Sequence, residues 1–462
     1  MTDDELARPP AFARTSPAGD WVASRYDDVQ AILADGRFGV PEAGPPGAVG
    51  TISWLRASVS RFANGAEHQR RRARAVAELR PLHPHQLRRA AARRANTAIR
   101  QTARPGSRLD VMALLARRVP MAAMAAALGI ARAEDAADAV IRIAPGYFPG
   151  ADAAAQRVAG TATAQLVIML GLDDDSGPAR HGAARAARWA LTSPRRAPAP
   201  PGPAPALRGL AVTPPGPAPA SPSPAAGSVG SLAAPAGPLT ASVSSSGQPV
   251  SSSGRADAPA GLDAALPADL DVIVARIALM VQGCDATAGL IGNALHFLQD
   301  GGPEVANWPT ATVLDEVLRH RPVVRASGRI AREPVTVLGH QVHPGDRVRC
   351  DIQAASTDPA APSTSNYPAP NFDRSRTNPA CTGPAAAELG AASEPGPGEA
   401  GPANLTFGYG VRPCPGRPQA LALATGVIDA VRGNCAFLPG QRVEYEPDQP
   451  LRIPLRLDVA LR

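Results

Sequence analysis

Ten consecutive residues, Phe407-Gly408-Tyr409-Gly410-Val411-Arg412-Pro413-Cys414-Pro415-Gly416, carry the strongest chemical signal in the chain. The glycines allow a tight backbone excursion, and Pro413 and Pro415 stiffen the turn on either side of the Cys414 sulfur. A helical pattern begins just after Gly416, so Cys414 sits where backbone N–H groups and the helix dipole favour an anion. This is a site for a thiolate, either bound to a metal or acting as a nucleophile. A nucleophile needs a base. The nearest histidines in sequence, His340 and His343, fall on a hairpin pattern, and nothing brings them to Cys414. Metal ligation is the stronger reading.

Three weaker signals lie upstream. Glu316 and Arg319, three apart on a short helix, share a face and can form an ordinary intrahelical ion pair. His68 and Arg72, four apart, project together and could contact carboxylates of a buried cofactor, although taken alone surface charge is the simpler explanation. The third is a polar island, Gln282-Gly283-Cys284-Asp285-Ala286-Thr287, inside a long apolar helix. A carboxylate there is costly, and packing alone does not predict Asp285.

The elements that must position these residues are mostly helices. A strand over 21–25 leads to a helix from Tyr26 to Ala34, capped by Asp27 or Asp28 and closed by Gly36. Helical patterns follow at 66–79, 85–101, 108–128, 133–142, 152–170 and 177–191, with breaks at Pro145-Gly146 and Pro149-Gly150. Pro267 opens a helix running to Leu298 that is apolar on nearly every face, as in a helix buried through a domain centre. A short helix at 311–320 is followed by strand material at Val323-Val324, Val335–Val337 and Arg347–Arg349. A last helix spans Pro418–Val431, and a small sheet alternates over Val443–Tyr445, Leu451–Ile453 and Leu457–Val459. The fold class is mainly α with a small β region. Residues 1–462 read as a single domain carrying Pro/Ala/Gly/Ser-rich insertions at 193–261 and 377–403, too poor in apolar surface to offset ordering entropy.

Composition narrows the function. The chain has 462 residues and a net charge of +7, and no lysine among its 47 basic side chains, which excludes Schiff-base chemistry on the enzyme. Ten of the arginines lie between Arg70 and Arg100. They read as a solvated helical face or a docking face for an acidic protein. Nucleic acid is disfavoured, because the run lacks aromatics to stack on bases. The 5 cysteines are odd in number and form no CxxC pair, which argues against a disulfide framework or zinc site and for a reducing, cytoplasmic setting. The acidic start Met1-Thr2-Asp3-Asp4-Glu5 is unlike a signal peptide, and no stretch reads as long enough for a membrane span.

Taken in order, the His68/Arg72 pair, the polar island, the Glu-x-x-Arg pair and the Cys414 loop resemble the cytochrome P450 family. The opening from Trp21 to Phe38 and the stretch Gly339–Val348 are similar to soluble bacterial members. The resemblance runs from about Trp21 to the C-terminus, interrupted by the two insertions. It implies the cytochrome P450 fold, with haem b (iron protoporphyrin IX) between the long central helix and the Cys-loop helix. It also implies that Cys414 is the axial iron ligand, with Phe407 shielding the sulfur and Gly408, Gly410 and Gly416 shaping the loop, Gly410 letting backbone amides approach the sulfur. His68, Arg72, Arg329 and Arg412 fall where the family binds the haem propionates, and Glu316 and Arg319 where it braces the Cys loop. Electrons would come from a ferredoxin and a ferredoxin reductase, since no flavin or nicotinamide fingerprint is present.

Two departures bear on the reaction. The family's acid–alcohol pair reads Asp285-Ala286, so the acid is kept and the hydroxyl is lost. Thr287 lies about 200° round the helix from Asp285 and is no substitute. The family's Asn-Arg-Asp-Pro reads Ser356-Thr357-Asp358-Pro359, without the arginine, and the usual N-terminal helix is short or missing. The expected activity is monooxygenation of a small-molecule or peptide substrate in secondary metabolism. Oxidative cross-linking of aromatic side chains in a peptide, and a non-enzymatic haem-binding or sensing role, are the alternatives.

Overall fold

In the computed structural model the described residues are 12–16, 19–102, 107–148, 150–172, 268–362, 404–438, 440–446 and 450–462. The expected helix at 177–191, both insertions, Cys381 and the N-terminal helix question all lie outside them.

The helices run as the 3.6-residue periodicity requires. They are α1 (Tyr26–Ala34), α2 (Ile52–Ser58), α3 (Gly65–Leu79), α4 (Pro84–Thr102), α5 (Arg118–Ala127), α6 (Ala133–Tyr147), α7 (Ala153–Leu172), α8 (Ala268–Asp300), α9 (Gly302–Ala306), α10 (Thr310–His320), α11 (Ile352–Ser356) and α12 (Arg417–Asn434). On α4, Leu87, Ala91, Ala95 and Ile99 make one buried stripe, against which α12 packs. The strands are β1 (Phe12–Arg14), β2 (Trp21–Ala23), β3 (Phe38–Gly39), β4 (Arg108–Asp110), β5 (Ala326–Ala331), β6 (Val335–Val337), β7 (His340–Val342), β8 (Arg347–Asp351), β9 (Cys435–Phe437) and β10 (Asp458–Leu461). They form a five-stranded sheet in the order β1-β2-β8-β5-β3, a three-stranded sheet β4-β10-β9 and the hairpin β6-β7. Among the described strands only β2 and β8 pair in parallel.

At 1.5 Å per residue, the 33 residues of α8 extend about 50 Å, enough to cross a large domain. Ile277, Met280, Cys284, Leu290, Ile291, Ala294 and Phe297 on it are buried in the larger core. A smaller core under the five-stranded sheet gathers Phe12, Trp21, Tyr26, Leu33, Val348 and Cys350. Leu270–Asp300 is long and apolar enough to cross a membrane by length and composition, contrary to the sequence expectation. Yet 61% of its most apolar window is buried inside the protein, as in a core helix.

Several boundaries differ from expectation, each for a physical reason. Neither Asp27 nor Asp28 caps α1; the Tyr26 N–H donates instead to Asp358 Oδ2 at 2.9 Å, so the cap comes from the far end of the chain. Residues 108–110 form β4 rather than the start of a helix, because β10 pairs with them. A π-helical turn, Met112–Ala116, then leads into α5. Pro145 lies inside α6 instead of ending it. Val323-Val324 is not a strand; Val324 makes one isolated bridge to Leu451, and Tyr445 another to Pro454.

Candidate cofactor site around Cys414

The Cys414 loop is a folded turn fastened at both ends. The Cys414 N–H donates to the Phe407 carbonyl at 2.6 Å, and the Gly408 N–H to the Leu405 carbonyl at 2.9 Å. Gly408 and Gly410 have φ of 74° and 64°, the left-handed region that glycine enters without strain. A Cβ on Gly410 would lie 2.2 Å from the Ala34 Cα. The end of α1 pressing on this position is a steric reason for glycine there. At the loop entrance, the Thr406 hydroxyl donates to the Leu318 carbonyl of α10 at 3.2 Å, on the helix that carries Glu316 and Arg319. Glu316 is buried, with His320 Nε2 at 3.3 Å. Arg417, opening α12, lies 5.5 Å from the centre of the Phe407 ring.

Cys414 is solvent-accessible, yet surrounding protein crowds it closely. The crowding raises its thiol pKa, against the Gly416 N–H and the charges of Arg72 and Arg417, which favour the thiolate. A free nucleophile would need the opposite net shift. A metal removes that thiol proton on binding. Among the described residues no cluster of His, Cys, Asp and Glu could hold a metal ion. A single thiolate therefore suits an iron whose remaining ligands arrive with it.

Around this cysteine the structure gathers cations. His68 is buried on α3; burial, Arg412 and Arg72 hold its imidazole down to about 4. Burial, Arg329, Arg72 and Arg332 pull Arg412 down to about 10. Arg412 donates to the Ala63 carbonyl at 2.7 Å and to Asn64 Oδ1 at 2.8 Å, pinning the Cys loop to the start of α3. Arg329 on β5 is also buried, with its pKa lowered mainly by burial. Its Nη1 donates to Ser327 Oγ at 2.7 Å and to the Gly328 carbonyl at 2.9 Å, while its buried Nε has no partner. Crowded arginines that depress one another, with an unpaired guanidinium N–H on the buried Arg329 and a neutral imidazole beside them, make a site for an anion. The propionates of haem fit it.

On α8, Asp285 Oδ1 accepts from Arg117 Nε at 2.8 Å, and Arg117 Nη2 donates to Glu446 Oε1 at 2.8 Å. Burial alone would lower the Arg117 pKa, but Asp285 and Glu446 outweigh it and raise it. The ion triad answers the question of who partners the half-buried acid, and neither Arg117 nor Glu446 was marked by the sequence. Ala286 is half-buried and Thr287 buried. Cys284 is fully buried and its thiol pKa is pushed far up, so it is inert packing.

No protein-family model matches the chain. Solved structures match nearly all of it. P450BioI, in complex with hexadec-9Z-enoic acid ligated acyl carrier protein, is 16% identical, with a TM-score of 0.62 over 99% of this chain and 97% of that one. CalO2 is 17% identical, with a TM-score of 0.62 over 99% and 94%. CYP105P2 of Streptomyces peucetius, in complex with a biphenyl compound, is 18% identical, with a TM-score of 0.60 over 99% and 94%. This chain has the cytochrome P450 fold. Among curated proteins, Protein AknT of Streptomyces galilaeus is 34% identical over 106 residues, 21% of this chain. That match spans about a quarter of AknT, 23% of its length.

Proposed function

We propose that this chain is a haem-thiolate oxygenase that binds haem b through Cys414 and oxidises an organic substrate of secondary metabolism. The observation that carries the proposal is an accessible cysteine beside an anion-seeking group of crowded arginines, Arg72, Arg329 and Arg412. Arg329, Arg412, Arg72 and His68 would hold the propionates. Bound haem would supply oxygen activation, which electron donation from the thiolate promotes. The loop from Phe407 to Gly416 fixes the sulfur, and Arg412 ties that loop to α3.

Asp285 is the acid of the site, held by Arg117. With alanine at 286, the proton path must use an ordered water or a hydroxyl of the substrate. That feature favours a second reading, oxidative coupling of aromatic side chains in a peptide, which depends less on the missing alcohol. A ferredoxin and its reductase would deliver electrons. The face offered to them is narrower than ten arginines suggest, since Arg70, Arg88 and Arg94 are taken by Glu67 and Asp271, Asp429 and Glu134. Arg80, Arg89, Arg93 and Arg100 remain exposed. The free cysteines Cys284, Cys350 and Cys435 support a cytoplasmic setting.

The test is oxygen uptake with ferredoxin, its reductase and NADPH. Wild type should consume oxygen above the reductase background and Cys414→Ala should not; equal traces would overturn the proposal. With isotopically labelled O2, label in the product supports oxygenation. A product that has lost hydrogen without gaining label supports coupling.

A further inference from the structure

Arg61 is an arginine near the site that nothing described so far employs. It lies on the short 3-10 turn Ser60–Phe62, between α2 and α3. Its side chain is accessible to solvent, yet surrounding protein desolvates it enough to lower its pKa. Like Cys414, it combines solvent access with close crowding by protein. Its guanidinium lies 4.9 Å from the centre of the Phe148 ring and 6.0 Å from that of Phe62. No carboxylate and no hydrogen-bond acceptor among the described residues meets it.

Its neighbours tie it to both halves of the site. The buried Tyr147 is close enough for its phenol and the Arg61 charge to influence each other, and Gln282 of α8 lies beside that phenol. Gln282 and Ala286 are one helical turn apart on one face of α8. On the other side, the Arg61 charge reaches Arg329 and lowers its pKa. The turn itself is braced. Arg56 donates to the carbonyls of Gly146, Tyr147 and Phe148 at 2.6, 2.8 and 2.8 Å, fastening α2 to the end of α6. Arg71 Nη1 donates to the Val59 carbonyl at 3.2 Å.

We propose that Arg61 binds the carboxylate of an otherwise apolar substrate. The inference rests on the haem-thiolate reading and adds the substrate class to it. On that reading the pair of propionates would be met by Arg72, Arg329, Arg412 and His68, so haem would leave the Arg61 charge uncompensated. A desolvated guanidinium beside Phe62, Phe148 and Tyr147 is the complement of an acid carried on an apolar body. A carboxylate also matches the planar guanidinium fork, which a lysine could not offer.

The test is a spectral and calorimetric titration of the haem-loaded protein with matched carboxylic acids and their primary amides, straight-chain and aromatic. Wild type should bind at least one acid about tenfold to a hundredfold more tightly than its amide. Arg61→Gln should lose that preference and Arg61→Lys should keep part of it, with the reduced CO-bound spectrum unchanged in both. The proposal is overturned if no acid binds, if amides bind equally well, or if the preference survives in Arg61→Gln. It is equally overturned if Arg61→Gln sheds haem without altering the preference, since Arg61 would then be a propionate ligand. Loss of the thiolate spectrum in wild type itself would instead sink the haem-thiolate reading.

Discussion

Glycine 410 offers a sharp quantitative test of how the Cys414 loop is seated. Its φ of 64° costs an L-residue about 1–2 kcal/mol. In Gly410→Ala the new Cβ would stand 2.2 Å from the Ala34 Cα and 2.8 Å from both the Ala34 nitrogen and the Leu33 carbonyl oxygen. These are backbone atoms of α1, which cannot rotate aside, so relief requires the loop and helix to part; overpacking of this kind adds about 1–3 kcal/mol. The expected loss is about 2–5 kcal/mol. Gly433, in the last turn of α12, is the control: nothing lies within 4 Å of its added Cβ. Gly433→Ala should gain about 0.5–1 kcal/mol from helix propensity. Urea unfolding followed by circular dichroism reads both changes as midpoint shifts at constant slope. If Gly410→Ala unfolds with wild-type stability, α1 does not press on the loop and the packing argument fails.

Three further outcomes follow from the site. Arg117→Met leaves Asp285 and Glu446 facing each other without their shared cation, and should cost about 1–3 kcal/mol in the same unfolding assay; an unchanged midpoint would remove Asp285 from any ion network. His68 is held at about 4 in the folded chain against the ordinary 6.5 of a solvated imidazole, so the unfolded chain binds more protons between those values. Stability of the haem-free chain contributed by neutral His68 is therefore complete above pH 6.5 and is lost as pH falls towards 4. His68→Gln should flatten that slope, and a parallel pH profile would contradict it. Ala286→Thr restores a hydroxyl next to Asp285 and should raise product formed per NADPH roughly tenfold or more if proton delivery limits coupling; an unchanged ratio would mean the substrate or water already serves.

Local chemistry was legible in the sequence where it depended on neighbours in the chain. The α1 helix, the α4 stripe from Leu87 to Ile99 and the turn around Cys414 all follow from periodicity and from Gly and Pro. What escaped depends on distant partners. Strand β5, Ala326–Ala331, has little β character and is extended because β8 and β3 flank it. The α1 cap is supplied by Asp358, more than three hundred residues away, in the segment where the missing family arginine drew attention to a loss rather than a role. Pro145 continues α6, and three carbonyls at that helix end are met by Arg56. At the site, His68, Arg72, Arg329 and Arg412 were marked in advance by resemblance, and the structure brings them together. Arg61, Arg117 and Glu446 had no local signal: each is an unremarkable charge until the fold sets its surroundings.

The central claim is iron ligation by Cys414, and the absorption spectrum of the reduced, CO-bound protein tests it most directly. The purified chain, loaded with haem, should give the long-wavelength Soret band of a thiolate ligand. Cys414→Ala should lose that band while Cys435→Ala keeps it. A wild-type protein that takes up no haem, or whose spectrum is indifferent to Cys414→Ala, would contradict the account.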